Sequence, residues 1–160
     1  MKMSFIGLLL VNLAIGFGIL YLILYATIFV HEFGHFVFAK HNYKVLDFQI
    51  GEKYIWYDKV HKDVRFRLGI LPSKGIINYM TIREKSVSKT SQVKRKIAVI
   101  QTILGGPLFS LLFALVGLGG YALFSSMFFL ILIALNIYAG LHVFFPWTED
   151  FKQMKMSLKS

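Results

Sequence analysis

A chain of 160 residues that is 56% hydrophobic, with a mean hydropathy of +0.62 and a formal net charge of +10, is too apolar for an ordinary soluble domain of its size and reads as a membrane protein. It has no cysteine, which excludes disulfides and thiolate metal sites, so any metal must be held by His, Asp or Glu. Beyond net charge nothing points to nucleic acid, and no nucleic-acid partner is expected.

Residues 4–39 form one nearly uncharged stretch, interrupted only by His31, Glu32 and His35. At about 1.5 Å per residue it is far longer than a hydrocarbon core of about 30 Å. It is read as one span that tilts, breaks near Gly16 and Gly18 or continues past the bilayer, with two short helices as the alternative. The run is too long for a cleaved signal peptide, and no small-residue cleavage site closes it.

Residues 40–96 hold 14 of the 18 Lys and Arg against five acidic residues. Basic residues flanking spans stay on the cytoplasmic side. Lys94, Arg95 and Lys96 precede the second apolar block, and Lys152, Lys155 and Lys159 follow it. The N-terminus is therefore expected outside, and the basic segment and C-terminus in the cytoplasm against anionic lipid. Within this segment Val45–Ile50, Lys53–Tyr57 and Val64–Leu68 are rich in β-branched and aromatic residues. Gly51, residues 58–62 and residues 72–75 supply turns, so a small membrane-associated sheet is expected. Residues 83–96 read as an exposed basic linker. His41 and His61 read as solvated, and Trp56, Tyr57 and Trp147 fit an interfacial aromatic belt.

Residues 97–147 contain no Asp, Glu, Lys or Arg, enough for two spans. Gly117, Gly119 and Gly120 are the expected turn between spans near 97–117 and 121–146. The fold class is thus membrane α-helical, with about three core transmembrane helices and a small sheet between the first and second. It is one domain over 1–160: the first span in 1–40, the sheet and basic linker in 41–96, a two-span hairpin in 97–147 and a tail in 148–160.

The chemistry sits in His31-Glu32-Phe33-Gly34-His35. On a helix His31 and His35 project from one face, the spacing at which two imidazoles bind one zinc ion. Glu32 follows the first ligand, where its carboxylate serves as general base on water activated by the metal. Three ionisable groups within five residues of an apolar span, each costing about 2.5–3.5 kcal/mol if unpaired, ask for a shared reason, and one metal ion provides it. A catalytic zinc keeps three protein ligands. The charge map puts the ends of the first and third spans on the same side, where Glu149 and Asp150 are the available carboxylates.

At this point the chain resembles the site-2 protease family of intramembrane zinc metalloproteases. His31 to His35 followed by Ala39 is similar to the family's HExGHxxxA pattern. Residues 48–51 with Leu71-Pro72-Ser73-Lys74-Gly75 look like the sheet and its closing turn. Gly105-Gly106-Pro107-Leu108 resembles the Gly-Pro opening the middle core helix. Asn136 through Pro146 to Asp150 corresponds to the segment carrying the last ligand. The resemblance implies one zinc per chain held by His31, His35 and Asp150, with Glu32 as base and a membrane-embedded or hydrophobic peptide as substrate. Phe151 stands where the family has glycine, and the Pro146–Asp150 spacing is one residue short. Counting back from Asp150, the family's asparagine position falls on His142, and counting from Pro146 it falls on Val143; at His142 it implies an oxyanion donor, with a zinc ligand or a histidine satisfied in a bundle interface as the other readings. Asn136 reads as a hydrogen bond between helices, and Glu149 remains an alternative to Asp150.

Two other functions compete. One is a catalytically silent membrane relative acting as a binding or immunity-type partner. The other is a metal transporter, ranked last because it needs ligands along a path and the chain offers one cluster. An exposed strand near residues 64–70 is expected to pair with an extended substrate.

Overall fold

The computed structural model describes residues 5–72, 75–80, 89–146, 148, 150–152 and 155–156. Its order is α1 (Phe5–Asn42), β1 (Lys44–Ile50), β2 (Ile55–His61), β3 (Val64–Gly69), β4 (Gly75–Met80), α2 (Lys89–Phe124) and α3 (Met127–His142). The chain is mostly helical, with a small mixed sheet between its first and second helices. α1 and α2 are each long and apolar enough to cross a membrane, whereas α3 is a shorter apolar helix.

α1 is one unbroken helix, and nothing lies within 4 Å of where a side chain would start at Gly16 or Gly18. Its N-terminal half is apolar on every side and unpacked, from Phe5 at 80% exposure to Phe17 at 70%. Its C-terminal half carries the contacts. At Gly34 and Gly105, α1 and α2 cross backbone to backbone: a Cβ on Gly34 would stand 2.3 Å from the Gly105 carbonyl oxygen, and one on Gly105 2.5 Å from that of Gly34. The contacts His31–Ser110 and His35–Thr102 run in opposite chain directions, so α1 and α2 are antiparallel. α3 returns alongside α1, where the wholly buried Asn136 donates to Thr27 Oγ1 at 3.0 Å. The expected interhelical hydrogen bond of Asn136 is thus present.

The glycine turn expected at 117–120 is not a turn. α2 continues to Phe124, and the chain reverses at Ser125 and Ser126. Gly117 and Gly120 instead face α3, where a Cβ would stand 2.9 Å from Ile133 Cγ1 and 2.2 Å from the Phe129 ring. Glycine here allows close helix packing, which in an apolar environment rests on small residues at the contact. α2 also begins at Lys89 rather than near 97, so the last eight residues of the expected linker are helical; residues 83–88 lie outside the described residues. α3 ends at His142, short of the expected 146. Pro107 sits inside α2 rather than opening it.

The sheet order is β2-β3-β1-β4, with β1 and β3 parallel and the other pairs antiparallel. β4 is a strand the sequence reading did not anticipate. β3, expected to be an exposed edge, is paired on both sides. β2 runs to His61 through residues expected to form a turn. It reads as polar because it is an exposed edge strand, where charge is usual. Its hairpin turns at Lys62 and Asp63, both with positive φ, as a two-residue loop requires.

One face of the sheet packs on α1 through Val45, Phe48, Ile50 and Val64 against Phe36 and Ala39. Val45 and Phe48 share that face although three apart, because a bulge lies between Val45 and Asp47 and shifts the alternation. Phe36 meets Phe48 and Phe66 edge-on at 5.2 and 5.5 Å. The other face carries charge: Arg65 donates twice to Asp58, at 2.8 and 2.6 Å, and Arg67 lies 3.4 Å from Asp47. Arg65 holds the exposed Asp58 carboxyl below its ordinary value.

Candidate metal centre

The half-site lies where α1 crosses α2. His31 and His35, one turn apart, point their Nε2 atoms toward each other at 3.2 Å. Each ring is tied at its other nitrogen. His35 Nδ1 lies 2.7 Å from the Thr102 carbonyl, an acceptor only, so this nitrogen carries the proton and Nε2 presents its lone pair. A longer contact of 3.4 Å from the Gly106 amide does not alter that assignment. His31 Nδ1 lies 2.9 Å from Ser110 Oγ, a wholly buried hydroxyl. Gly106 makes room for the His35 ring, since a Cβ there would stand 2.3 Å from Nε2.

Asp150 comes to the pair from the far side. Its Oδ2 is 3.7 Å from His35 Nε2, and one ligand atom from each of His31, His35 and Asp150 falls within 4.8 Å of the others. Donors about 2.0–2.1 Å from a tetrahedral zinc stand about 3.3 Å apart. The three groups thus match zinc in kind and approximately in spacing. Asp150 is placed by Thr148, which is buried. The Thr148 hydroxyl donates to the Phe145 carbonyl at 2.9 Å and accepts the Phe151 amide at 3.2 Å, an N-cap that turns the chain just before the carboxylate. Glu149 lies outside the described residues.

Glu32 points beside the group. Its carboxylate packs on Gly75 at the start of β4, whose main chain hydrogen-bonds it, and a Cβ on Gly75 would overlap Glu32 Cδ at 2.0 Å. Two cavities meet at Glu32, Gly75 and Asp150. One, of about 480 Å³, runs beside β4, past Ile77 and Asn78, to Thr102 and Ile103 of α2. The other, of about 570 Å³, runs between α1 and α3. His142 lines the second cavity together with His31 but is not one of the three converging groups; its ring lies edge-on to Phe145 and beside Tyr138.

Sequence reasoning missed Ser110, Thr102, Thr148 and Gly75. Only Thr148 left a local trace, a threonine followed by two acidic residues, which is an N-cap pattern. The others depend on contacts between distant segments.

The chain belongs to peptidase family M50, the site-2 protease family of membrane-associated zinc metallopeptidases, whose model matches residues 19–159. Two curated relatives, each provisionally named a zinc metalloprotease, align with it. One, from Rickettsia conorii, is 31% identical over 104 residues, covering 59% of this chain and 29% of the relative. The other, from Thermotoga maritima, is 33% identical over 110 residues, covering 64% of this chain and 21% of the relative. The aligned part thus spans less than a third of either relative's length.

Proposed function

We propose that the chain is an intramembrane zinc metalloprotease that cuts a membrane-embedded or hydrophobic peptide. The observation that carries this reading is the convergence of His31, His35 and Asp150 beside Glu32, with both imidazoles tied at Nδ1 so that both Nε2 atoms turn inward. His31, His35 and Asp150 would hold one zinc ion. Zinc bound there supplies a Lewis acid that activates water near neutral pH and polarises a carbonyl. Glu32 would take a proton from water attacking the scissile carbonyl and return it to the departing amine. His142, which lines the adjoining cavity, would donate a hydrogen bond to the carbonyl oxygen as it gains charge.

The substrate approaches along β4. This strand is an edge of the sheet, and its consecutive residues Ile77 and Asn78, which point to opposite faces, both border the same cavity. Leu46 of β1 lines it as well, and an extended peptide seated there would pair with the free edge of β4 by main-chain hydrogen bonds. Support for a sheet set beside the span comes from Tyr21 on α1, which donates to the Ile70 carbonyl beyond β3. Tyr54, Trp56, Ile70 and Leu71 are exposed at that end and suit lipid. Lys59, His61, Lys62 and Asp63, exposed toward the hairpin end, suit the cytoplasmic surface.

Zinc analysis of the purified protein in detergent tests the centre, with cleavage of a hydrophobic peptide reporter measured in parallel. The wild type is expected to bind one zinc, Asp150→Ala to lose most of it, and Glu32→Gln to keep it without cleaving. Undiminished zinc in Asp150→Ala removes Asp150 as a ligand. Cleavage that survives Glu32→Gln removes proteolysis as the function and favours the silent relative.

A further inference from the structure

The cavity between α1 and α3 has a form that the proposed cleavage does not by itself require. α1 contributes Leu24, Thr27, Ile28 and His31, and α3 contributes Leu135, Tyr138, Ala139 and His142. Both sets have the spacing i, i+3, i+4, i+7, one continuous stripe on each helix. The cavity is therefore a groove running lengthwise for about two turns, roughly 10 Å. Its polar end is His31 and His142 at the candidate metal centre; its far end is Leu24 and Leu135.

A peptide extended along β4 would continue into this groove, because the two cavities meet at Glu32, Gly75 and Asp150. An extended chain advances about 3.3 Å per residue, so three residues match the groove's length. The lining between the ends is apolar apart from two hydroxyls, that of Thr27, which accepts from Asn136, and that of Tyr138. Ala139 is the smallest side chain in the wall, set between Leu135 and His142 on the α3 stripe.

We infer that this groove seats about three extended, apolar substrate residues on one side of the scissile bond, and that Ala139 sets how large a side chain it accepts. The inference rests on the proposed zinc protease and adds its selectivity. Substrate residues on the opposite side of the bond lie along β4. Cleavage then favours a peptide with a bulky aliphatic or aromatic residue on the groove side.

Hydroxamates test this without a known substrate, because they bind a zinc centre directly. Acetohydroxamate and two peptidyl series, with glycine, leucine or phenylalanine on either side of the zinc-binding group, are titrated against the full-length zinc-loaded protein in detergent. In the wild type, one series is expected to bind more tightly from glycine to leucine to phenylalanine. Ala139→Leu should weaken the leucine and phenylalanine compounds of that series by about tenfold or more, the scale at which pockets discriminate by added methylenes. Acetohydroxamate should be unchanged. Leu135→Ala, which enlarges the groove, should shift the preference toward phenylalanine, a gain that misfolding does not produce. A side-chain ranking identical in all three proteins, with acetohydroxamate still bound, overturns the groove assignment alone. Failure of every compound to bind the zinc-loaded wild type overturns the metal centre as well.

Discussion

Gly106→Ala isolates the setting of His35. The added methyl carbon would lie 2.3, 2.6 and 2.7 Å from Nε2, Cδ2 and Cε1 of the ring, where an ordinary contact is about 3.5 Å. The ring must move by about 1 Å. Its 2.7 Å bond to the Thr102 carbonyl then stretches past hydrogen-bond reach, which leaves a buried pair unsatisfied at a cost of about 1–3 kcal/mol. Alanine returns about 0.8–1 kcal/mol of helix propensity at the same position. Global stability should therefore fall by no more than about 2 kcal/mol. Zinc affinity should fall by about 10–100-fold, the usual effect of disturbing a ligand's outer partner. A chelator-competition titration with zinc, run beside thermal unfolding in detergent, reads the two separately. Wild-type zinc affinity in Gly106→Ala would show that the His35 ring is not held against Gly106, and the derivation of its tautomer would fail with it.

Ser110→Ala removes the partner of His31 Nδ1; the same titration should show about 10–100-fold weaker zinc binding, with Ser110→Thr closer to wild type. Gly34→Ala forces a methyl into the Gly105 carbonyl, and overpacking against backbone should destabilise by about 1–3 kcal/mol. Gly119→Ala, with nothing within 4 Å, should be neutral or slightly stabilising in the same unfolding assay. Asn136→Ala breaks the bond to Thr27 and should cost about 0.6–1.7 kcal/mol, the range for hydrogen bonds between membrane helices. For Asp58 the folded-state value is depressed by Arg65, so its contribution is present above the ordinary carboxylate range and lost as pH falls through the depressed value. Titration followed by carboxyl NMR should find Asp58 below that range in the wild type and restored to it in Arg65→Ala.

Some of this was legible in the chain and some was not, for identifiable reasons. Each of the three segments expected to be a strand contributes one to the sheet, with Lys53 and Tyr54 left outside β2, because alternation in Val64–Leu68 and aromatic density in Lys53–Tyr57 are local. β4 was missed because residues 76–80 follow a turn signal and carry no charge alternation. The glycines at 117–120 misled because glycine serves two purposes, turning a chain and letting helices approach. An apolar stretch without charges gives no local sign of which one applies. Asp150 was singled out by the order of motifs and the charge map, despite Phe151 and the shortened spacing, and its carboxylate lies within 4.8 Å of the two imidazoles. His142 was brought to the cavity but not into the ligand group.

The sequence by itself determined the apolar stretches, the basic segment and the His31-Glu32-Phe33-Gly34-His35 motif. Each is a property of a few neighbouring residues: hydropathy over a span, or a helix turn that brings i and i+4 onto one face. Tertiary structure alone decided the rest. Gly34 against Gly105 sets the crossing that presents Thr102 and Ser110 to the two rings. The Thr148 cap brings Asp150 across to them, and parallel α1 and α3 open the groove beside Glu32. These depend on helices approaching closely enough for backbone and imidazole to touch, a distance fixed by packing between segments about 70 or more residues apart rather than by any pattern within one of them.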